Sequence, residues 1–153
     1  MDSKKILVTG ASGFIGSCMA HHLVSKGAEL HLILRDPSRA WRLQDISDSF
    51  KVHLVDLSER EKLRLVVRDI APDIVYHFAT YGAYSSQKDP ALAVATNILG
   101  TINLADASID SVTHFINVSS SSEYGNKNHP MKENELLEPN NLYGVTKAAA
   151  TMY

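Results

Sequence analysis

Apolar residues along this chain fall alternately into short runs and into spaced stripes. Lys5 to Thr9 is a brief apolar run that ends on glycines, which predicts a buried strand. From Gly13 onward, Phe14, Ile15, Met19, Leu23 and Val24 recur at helical spacing, and Gly27 stops the helix. Leu30 to Leu34 reads as a second strand, followed by a weak helix around Arg39 to Ile46 and a third strand from Val52 to Val55. Ser58 and Glu61 have the spacing of a capping box, which predicts a helix from there to about Ile70. Pro72 closes that segment, and Ile74 to Phe78 reads as the fourth strand. Pro90 opens a long helix through Ile109, and His114 to Val118 reads as the fifth strand. A polar loop then runs from Ser119 to Asn141, and a last helix starts near Leu142.

Strands that alternate with helices predict an α/β fold with a doubly wound parallel sheet. Right-handed crossovers give five strands in the order 3-2-1-4-5, as one Rossmann domain over residues 1–153. Composition agrees: of 153 residues, 44% are hydrophobic and 21% charged, which is ordinary for a globular domain. A net charge of −2 gives no reason to expect a nucleic acid or an anionic membrane as partner. The apolar run Ile6–Val8 is too short for the core of a signal peptide, and no run approaches a membrane span. The lone cysteine, Cys18, cannot form an internal disulfide and fits a reducing cytoplasm; its place on an apolar helix predicts packing. Trp41, in the weak helix, also reads as packing.

The first strand runs into TGASGFIG, Thr9 to Gly16, with glycines spaced GxxGxxG. Gly10 allows the tight turn out of the strand. Gly13 lets the backbone approach a pyrophosphate. Gly16 lets the helix pack close to the sheet, and the phosphates then sit at the positive N-terminus of that helix. Ser12, Phe14 and Ile15 belong to the same cofactor-binding turn. At the end of strand two stands Arg35, with Arg39 nearby, which favours the extra phosphate of NADP; Asp36 leaves NAD possible. Asp56, just past strand three, is placed to accept a hydrogen bond from an adenine amino group.

Tyr143 and Lys147 stand at i and i+4, one helical turn apart on one face. An ammonium close to a phenol favours the phenolate, which suits Tyr143 as a general acid/base. Ser119 to Ser122 follow strand five directly, at the strand end that faces ligand in a parallel sheet. His129 and Glu133 lie in the polar loop and read as loop surface. His77 has no partners at metal-site spacing, so no metal is expected.

Taken in order, TGASGFIG, Asp56-Leu57, His77-Phe78-Ala79-Thr80, Asn97 to Thr101, the serines before Tyr124-Gly125, and Tyr143 to Lys147 resemble the extended short-chain dehydrogenase/reductase family, of the sugar-nucleotide epimerase/dehydratase type. The resemblance covers the whole chain. It implies that Tyr143 is the acid/base, that Lys147 holds the nicotinamide ribose, and that Ser120 is the catalytic Ser/Thr. Leu57, Phe78 and Ala79 would line the cofactor, and Asn97 would act structurally. The implied chemistry is NAD(P)-dependent hydride transfer on a nucleotide-activated sugar. Dehydratases of the family follow the catalytic Ser/Thr with an acidic residue. Ser121 and Ser122 stand at the matching positions and Glu123 falls one residue later, in a slot that is apolar in many relatives. Keto-sugar reductase or epimerase is therefore favoured over dehydratase. Full-length relatives continue past the equivalent of Tyr153 into a region that grips the nucleotide-sugar, so the resemblance implies a chain truncated before its C-terminal substrate region. The other reading is a non-catalytic dinucleotide-binding module completed by a partner or a dimer. The family's dimer face implies a homodimer through the fourth and fifth helices.

Overall fold

The computed structural model describes residues 4–153. The first three residues of the basic start lie outside them, and Ile6–Val8 sit inside the first strand. Five parallel strands, β1 (Lys5–Thr9), β2 (Glu29–Leu34), β3 (Phe50–Leu54), β4 (Ile74–His77) and β5 (His114–Asn117), form one sheet in the order β3-β2-β1-β4-β5. The helices are α1 (Phe14–Ser25), α2 (Arg60–Ile70), α3 (Pro90–Ala93), α4 (Gly100–Ser108) and α5 (Leu142–Met152).

The sheet is covered on both faces, which is why its central strands read as continuous apolar runs. Alternate residues of a strand point to opposite faces. Ile6, Val8, Leu30 and Leu32 pack with Ala20 and Leu23 of α1 on one side. Leu7, Ile33 and Val75 pack with Leu63 and Val67 of α2 and Leu104 of α4 on the other. The outer strand β3 departs from this pattern, with Val52 and Leu54 exposed. No helix among the described residues is long and apolar enough to cross a membrane.

Several local expectations change. The weak helix around Arg39 to Ile46 is replaced by 3₁₀ turns over Pro37–Arg39 and Trp41–Ser49, the latter broken by a kink at Ile46, where φ is −119°. Asp36 caps the first, accepting the Ser38 N–H at 3.0 Å. Ser58 and Glu61 form no capping box, because Asp56 captures the Ser58 N–H at 2.9 Å and its hydroxyl at 2.7 Å, and α2 begins later, at Arg60. Cys18 is exposed and not packed: the buried stripe of α1 passes through Gly16, Ser17, Ala20 and Leu23. The helix from Pro90 is not uniform. A π turn over Val94–Leu99 separates α3 from α4, although Ala93, Val94, Leu99 and Gly100 keep right-handed helical dihedrals. π turns inside helices mark functional positions, and this one carries Asn97.

A buried hydrogen-bond chain lies below the C-terminal ends of β1 and β4. The Thr101 hydroxyl donates to the Asn97 carbonyl at 2.7 Å, so it accepts from His77 Nε2–H at 3.0 Å. His77 Nδ1 then accepts from the Thr9 hydroxyl at 2.5 Å, and Thr9 Oγ1 accepts from the Ala79 N–H at 3.3 Å. Every donor direction requires a neutral imidazole. Burial, and after it the Lys147 charge, hold the His77 pKa down to about 3. His31 and His53, stacked and joined at 2.9 Å between β2 and β3, are also depressed, chiefly by burial.

These shifts fix the sign of a pH effect. A histidine depressed in the fold charges more readily when unfolded, so the stability it lends is present above the ordinary value of 6.5 and is lost as pH falls toward about 3. The unfolding free energy in urea should drop by about 3 kcal/mol from His77 alone between pH 7 and pH 4.5. His31 and His53 add in the same direction. Equal unfolding free energies at the two pH values would rule out a neutral, buried His77.

Candidate functional site

The carboxyl ends of the strands open into one cleft of about 860 Å³ that runs from Arg35 at the end of β2 to Tyr143 and Lys147 on α5. At its centre, Gly13 N–H donates to the Gly10 carbonyl at 3.0 Å and closes the turn out of β1. Gly10 holds φ +70°, and a Cβ there would lie 2.5 Å from the Ala79 backbone nitrogen. A Cβ on Gly16 would lie 2.4 Å from the Gly10 carbonyl oxygen. The closeness at Gly16 is thus between helix and turn, where the sequence suggested helix and sheet. No side chain caps α1, and its first internal bond is Ser17 N–H to the Gly13 carbonyl. The amides of Phe14, Ile15 and Gly16, in the first turn, are left for an anion. Ser12, Gly13, Phe14, Ile15 and Gly16 line the cleft, with Phe14 and Ile15 exposed.

At the β2–β3 end, Arg35 lies 3.8 Å from Asp56 Oδ2. Burial pushes the Asp56 carboxyl up, but hydrogen bonds from Ser58 and the Arg35 charge outweigh it and hold the pKa below the usual range. One Asp56 oxygen is therefore occupied by Ser58, while the other faces Arg35. Asp36 is likewise engaged, by Ser38. Trp41 is not core: it is 61% exposed and lines the cleft, with the Arg42 guanidinium 4.2 Å above its ring. Arg42 also donates to the Ser12 carbonyl at 3.3 Å, which ties the 3₁₀ segment to the glycine turn.

At the other end, Asn141 caps α5 by accepting the Gly144 N–H at 2.8 Å. Tyr143, in the first turn, is half-buried and lines the cleft beside Lys147. Lys147 is buried, and its ammonium donates to the Val118 carbonyl at 2.6 Å. Burial lowers its pKa and the charge of Glu123 opposes that shift. Thr146, between them, donates to the Tyr143 carbonyl at 2.9 Å and accepts from Asn97 Nδ2 at 2.8 Å. Asn97 Oδ1 accepts the Tyr81 N–H at 2.8 Å, so the π turn braces both α5 and the loop after β4. The structural role expected of Asn97 is what these contacts describe.

Leu57, Phe78 and Ala79 line the cleft as expected. Ser120 does not: it faces an adjoining hollow of about 420 Å³ that shares Ser119 with the cleft and carries Glu133 on its rim. His129 turns away to bond Glu135 at 3.0 Å. Tyr81, Tyr84 and Gln87 also line the cleft, from the loop after β4. Their signal in the sequence was position alone, beyond the carboxyl end of a parallel strand. Among the described residues, no group of three His, Cys, Asp or Glu could hold a metal ion.

Comparison with known proteins agrees with this geometry. Residues 7–153 match the family described as GDP-mannose 4,6 dehydratase. A GDP-mannose 4,6-dehydratase of Vibrio cholerae is 30% identical over 96% of this chain and 44% of its own length. A UDP-glucose 4-epimerase of Lactobacillus helveticus is 32% identical over 94% of this chain and 44% of its own length. The chain thus spans less than half the length of these relatives. Among solved structures, the UDP-glucuronic acid 4-epimerase of Bacillus cereus in complex with UDP-glucuronic acid and NAD superposes with a TM-score of 0.84 at 32% identity, over 97% of this chain and 50% of that one. The Bordetella bronchiseptica enzyme WbmG in complex with NAD and UDP gives 0.87 at 26%, over 99% and 49%. With its glycine turn, its strand order and its paired Tyr143 and Lys147, the chain belongs to the family of GDP-mannose 4,6-dehydratase and its relatives, the sugar-nucleotide epimerases and dehydratases of the extended short-chain dehydrogenase/reductase type.

Proposed function

We propose that the main cleft binds a nicotinamide dinucleotide, NADP in preference to NAD, and serves oxidation–reduction of a nucleotide-activated sugar as a keto-sugar reductase or epimerase. The observation that carries this is the continuity of the cleft. It runs from a pair of arginines, past the uncapped N-terminus of α1, to a tyrosine and a buried lysine. Such a run suits an adenosine, a pyrophosphate and a nicotinamide ribose in turn.

When bound, the nicotinamide supplies or accepts hydride at a sugar carbon. In this reading Tyr143 moves the proton of the adjacent hydroxyl or carbonyl oxygen. The ammonium of Lys147 bonds the ribose and steadies Tyr143. Ser120 bonds the sugar hydroxyl from the adjoining hollow. Dehydration requires a further acid at the departing hydroxyl. Ser121 and Ser122 offer none, and Glu123 is buried behind the serines.

The structural neighbours named above were solved with NAD, so the NADP preference rests on Arg35 and Arg39. Arg35 replaces the acidic residue that grips the ribose diol in NAD enzymes, and Asp36 is committed to Ser38. Trp41, the one tryptophan of the chain, stands at the cleft and reports binding by its fluorescence. NADPH should bind more tightly than NADH. Arg35→Ala should weaken NADPH by about tenfold, the worth of one charge-assisted contact, and change NADH by less than about twofold. Equal affinities in the unsubstituted chain would remove the NADP preference. With NADPH and an NDP-4-keto sugar, reduction supports the reductase; with an NDP-hexose, inversion at the oxidised carbon supports the epimerase, and a product lighter by one water overturns the proposed reaction.

A further inference from the structure

Glu123 is 1% exposed, the most deeply buried carboxylate among the described residues, and the reaction outlined above gives it no task. An ionised carboxylate taken out of water costs several kcal/mol unless hydrogen bonds and an opposite charge compensate it. Its Oε1 accepts the Ser119 hydroxyl at 2.6 Å, the Ser120 N–H at 3.2 Å and the Thr151 hydroxyl at 3.2 Å. Ser120 and Glu123 form a reciprocal capping box over the 3₁₀ turn Ser121–Tyr124. One oxygen therefore joins two consecutive serines at the end of β5 to the last turn of α5, the helix that carries Tyr143 and Lys147.

The charges around Lys147 are few. His77, on β4, faces it and is neutral. Tyr143 lies one turn earlier on α5 itself. The segment from Pro90 to Leu99, which packs on α5, carries no ionisable side chain. On the 3₁₀ turn, Glu123 Oε1 accepts from Ser119 while Lys147 Nζ donates to the carbonyl of the adjacent Val118, so the two charges flank one stretch of backbone without a direct ion pair, and the Glu123 charge opposes the burial of Lys147.

We propose that Glu123 is a positioning residue for this site: its buried carboxylate ties the serine loop to α5 and is the counter-charge of the Lys147 ammonium. The consequence for cofactor binding rests on the proposed function, in which Lys147 holds the ribose; the pairing itself does not. Glu123→Gln separates the two parts, because the amide keeps the shape and an acceptor oxygen but removes the charge.

The test follows the Lys147 side chain by NMR through a pH titration of the chain without cofactor. Glu123→Gln should lower the Lys147 midpoint by about one pH unit or more, and Glu123→Asp should restore most of it. With NADPH present, the pH at which binding weakens should move down with the same midpoint. An identical Lys147 midpoint in the parent chain and in a folded Glu123→Gln variant overturns the proposal. Should that variant not fold, the parent chain answers the question. On acidification the Lys147 resonance should move in step with the Glu123 carboxyl carbon, and a Lys147 resonance indifferent to that step overturns the pairing. A shifted midpoint without NADPH binding leaves the pairing standing and removes the proposed function.

Discussion

Replacing Gly16 with alanine should abolish measurable dinucleotide binding and lower the melting temperature by about 5–10 °C, the effect of overpacking a rigid contact in a chain of this size. The added Cβ would meet the Gly10 carbonyl oxygen at 2.4 Å, the Gly10 carbonyl carbon at 2.8 Å and the Ala11 Cα at 2.9 Å. All three are backbone atoms, so no flexible side chain can yield. The turn cannot retreat either, because Gly10 already sits against Phe78 and Ala79. Relief has to come from lifting α1 away from the turn, which moves the amides that would hold the pyrophosphate. Gly13→Ala is the control. Its Cβ would meet only the Gly10 carbonyl oxygen, at 3.3 Å, and its φ of −78° suits any residue. The melting temperature should then stay within about 2 °C, and only binding should weaken, because position 13 is exposed toward the cleft. Trp41 fluorescence and thermal melts read both quantities. A Gly16→Ala chain that melts and binds like its parent would show that the turn does not hold α1 in place.

The fold was legible because its signals are local and agree with one another: a run, a stop, a stripe, a stop. The site was legible only where chemistry and spacing coincide on one element, as in the glycine turn and in Tyr143 with Lys147. The spacing Ser-x-x-Glu shows the limit. It occurs at Ser58–Glu61 and at Ser120–Glu123, and only the second forms a capping box. The first fails because Asp56, two residues upstream, takes the Ser58 donors. Spacing states what a side chain can reach, while the competition for it is settled by neighbours. Trp41 shows the same limit for burial. A tryptophan on a weak helix reads as core, but that segment has little apolar surface beyond Leu43 to bury, so the indole is left at the cleft. The chain from Thr9 through His77 and Thr101 to Asn97 joins four elements and has no local signature.

In the proposed reaction, replacing Tyr143 with phenylalanine should lower turnover by about a thousandfold while NADPH affinity changes by less than about threefold, since positioned acid/base groups contribute about 10²–10⁴ in rate. The ring is held independently of its hydroxyl. Asn141 fixes the start of α5, Thr146 bonds the Tyr143 carbonyl, and Asn97 bonds Thr146 in turn. The Tyr143 ring also rests over Gly82, where a Cβ would lie only 3.7 Å from its Cδ2. None of these contacts uses the phenolic oxygen, so phenylalanine should occupy the same place and leave the cleft its shape. What disappears is the one proton donor and acceptor that Tyr143 presents to the cleft it shares with Lys147. Lys147 stays anchored on the Val118 carbonyl and should continue to hold the cofactor. Oxidation of NADPH by an NDP-4-keto sugar measures turnover, and Trp41 quenching measures affinity. Turnover within about tenfold of the parent would assign the proton transfer elsewhere, with Glu133 on the rim of the adjoining hollow the next carboxylate to substitute.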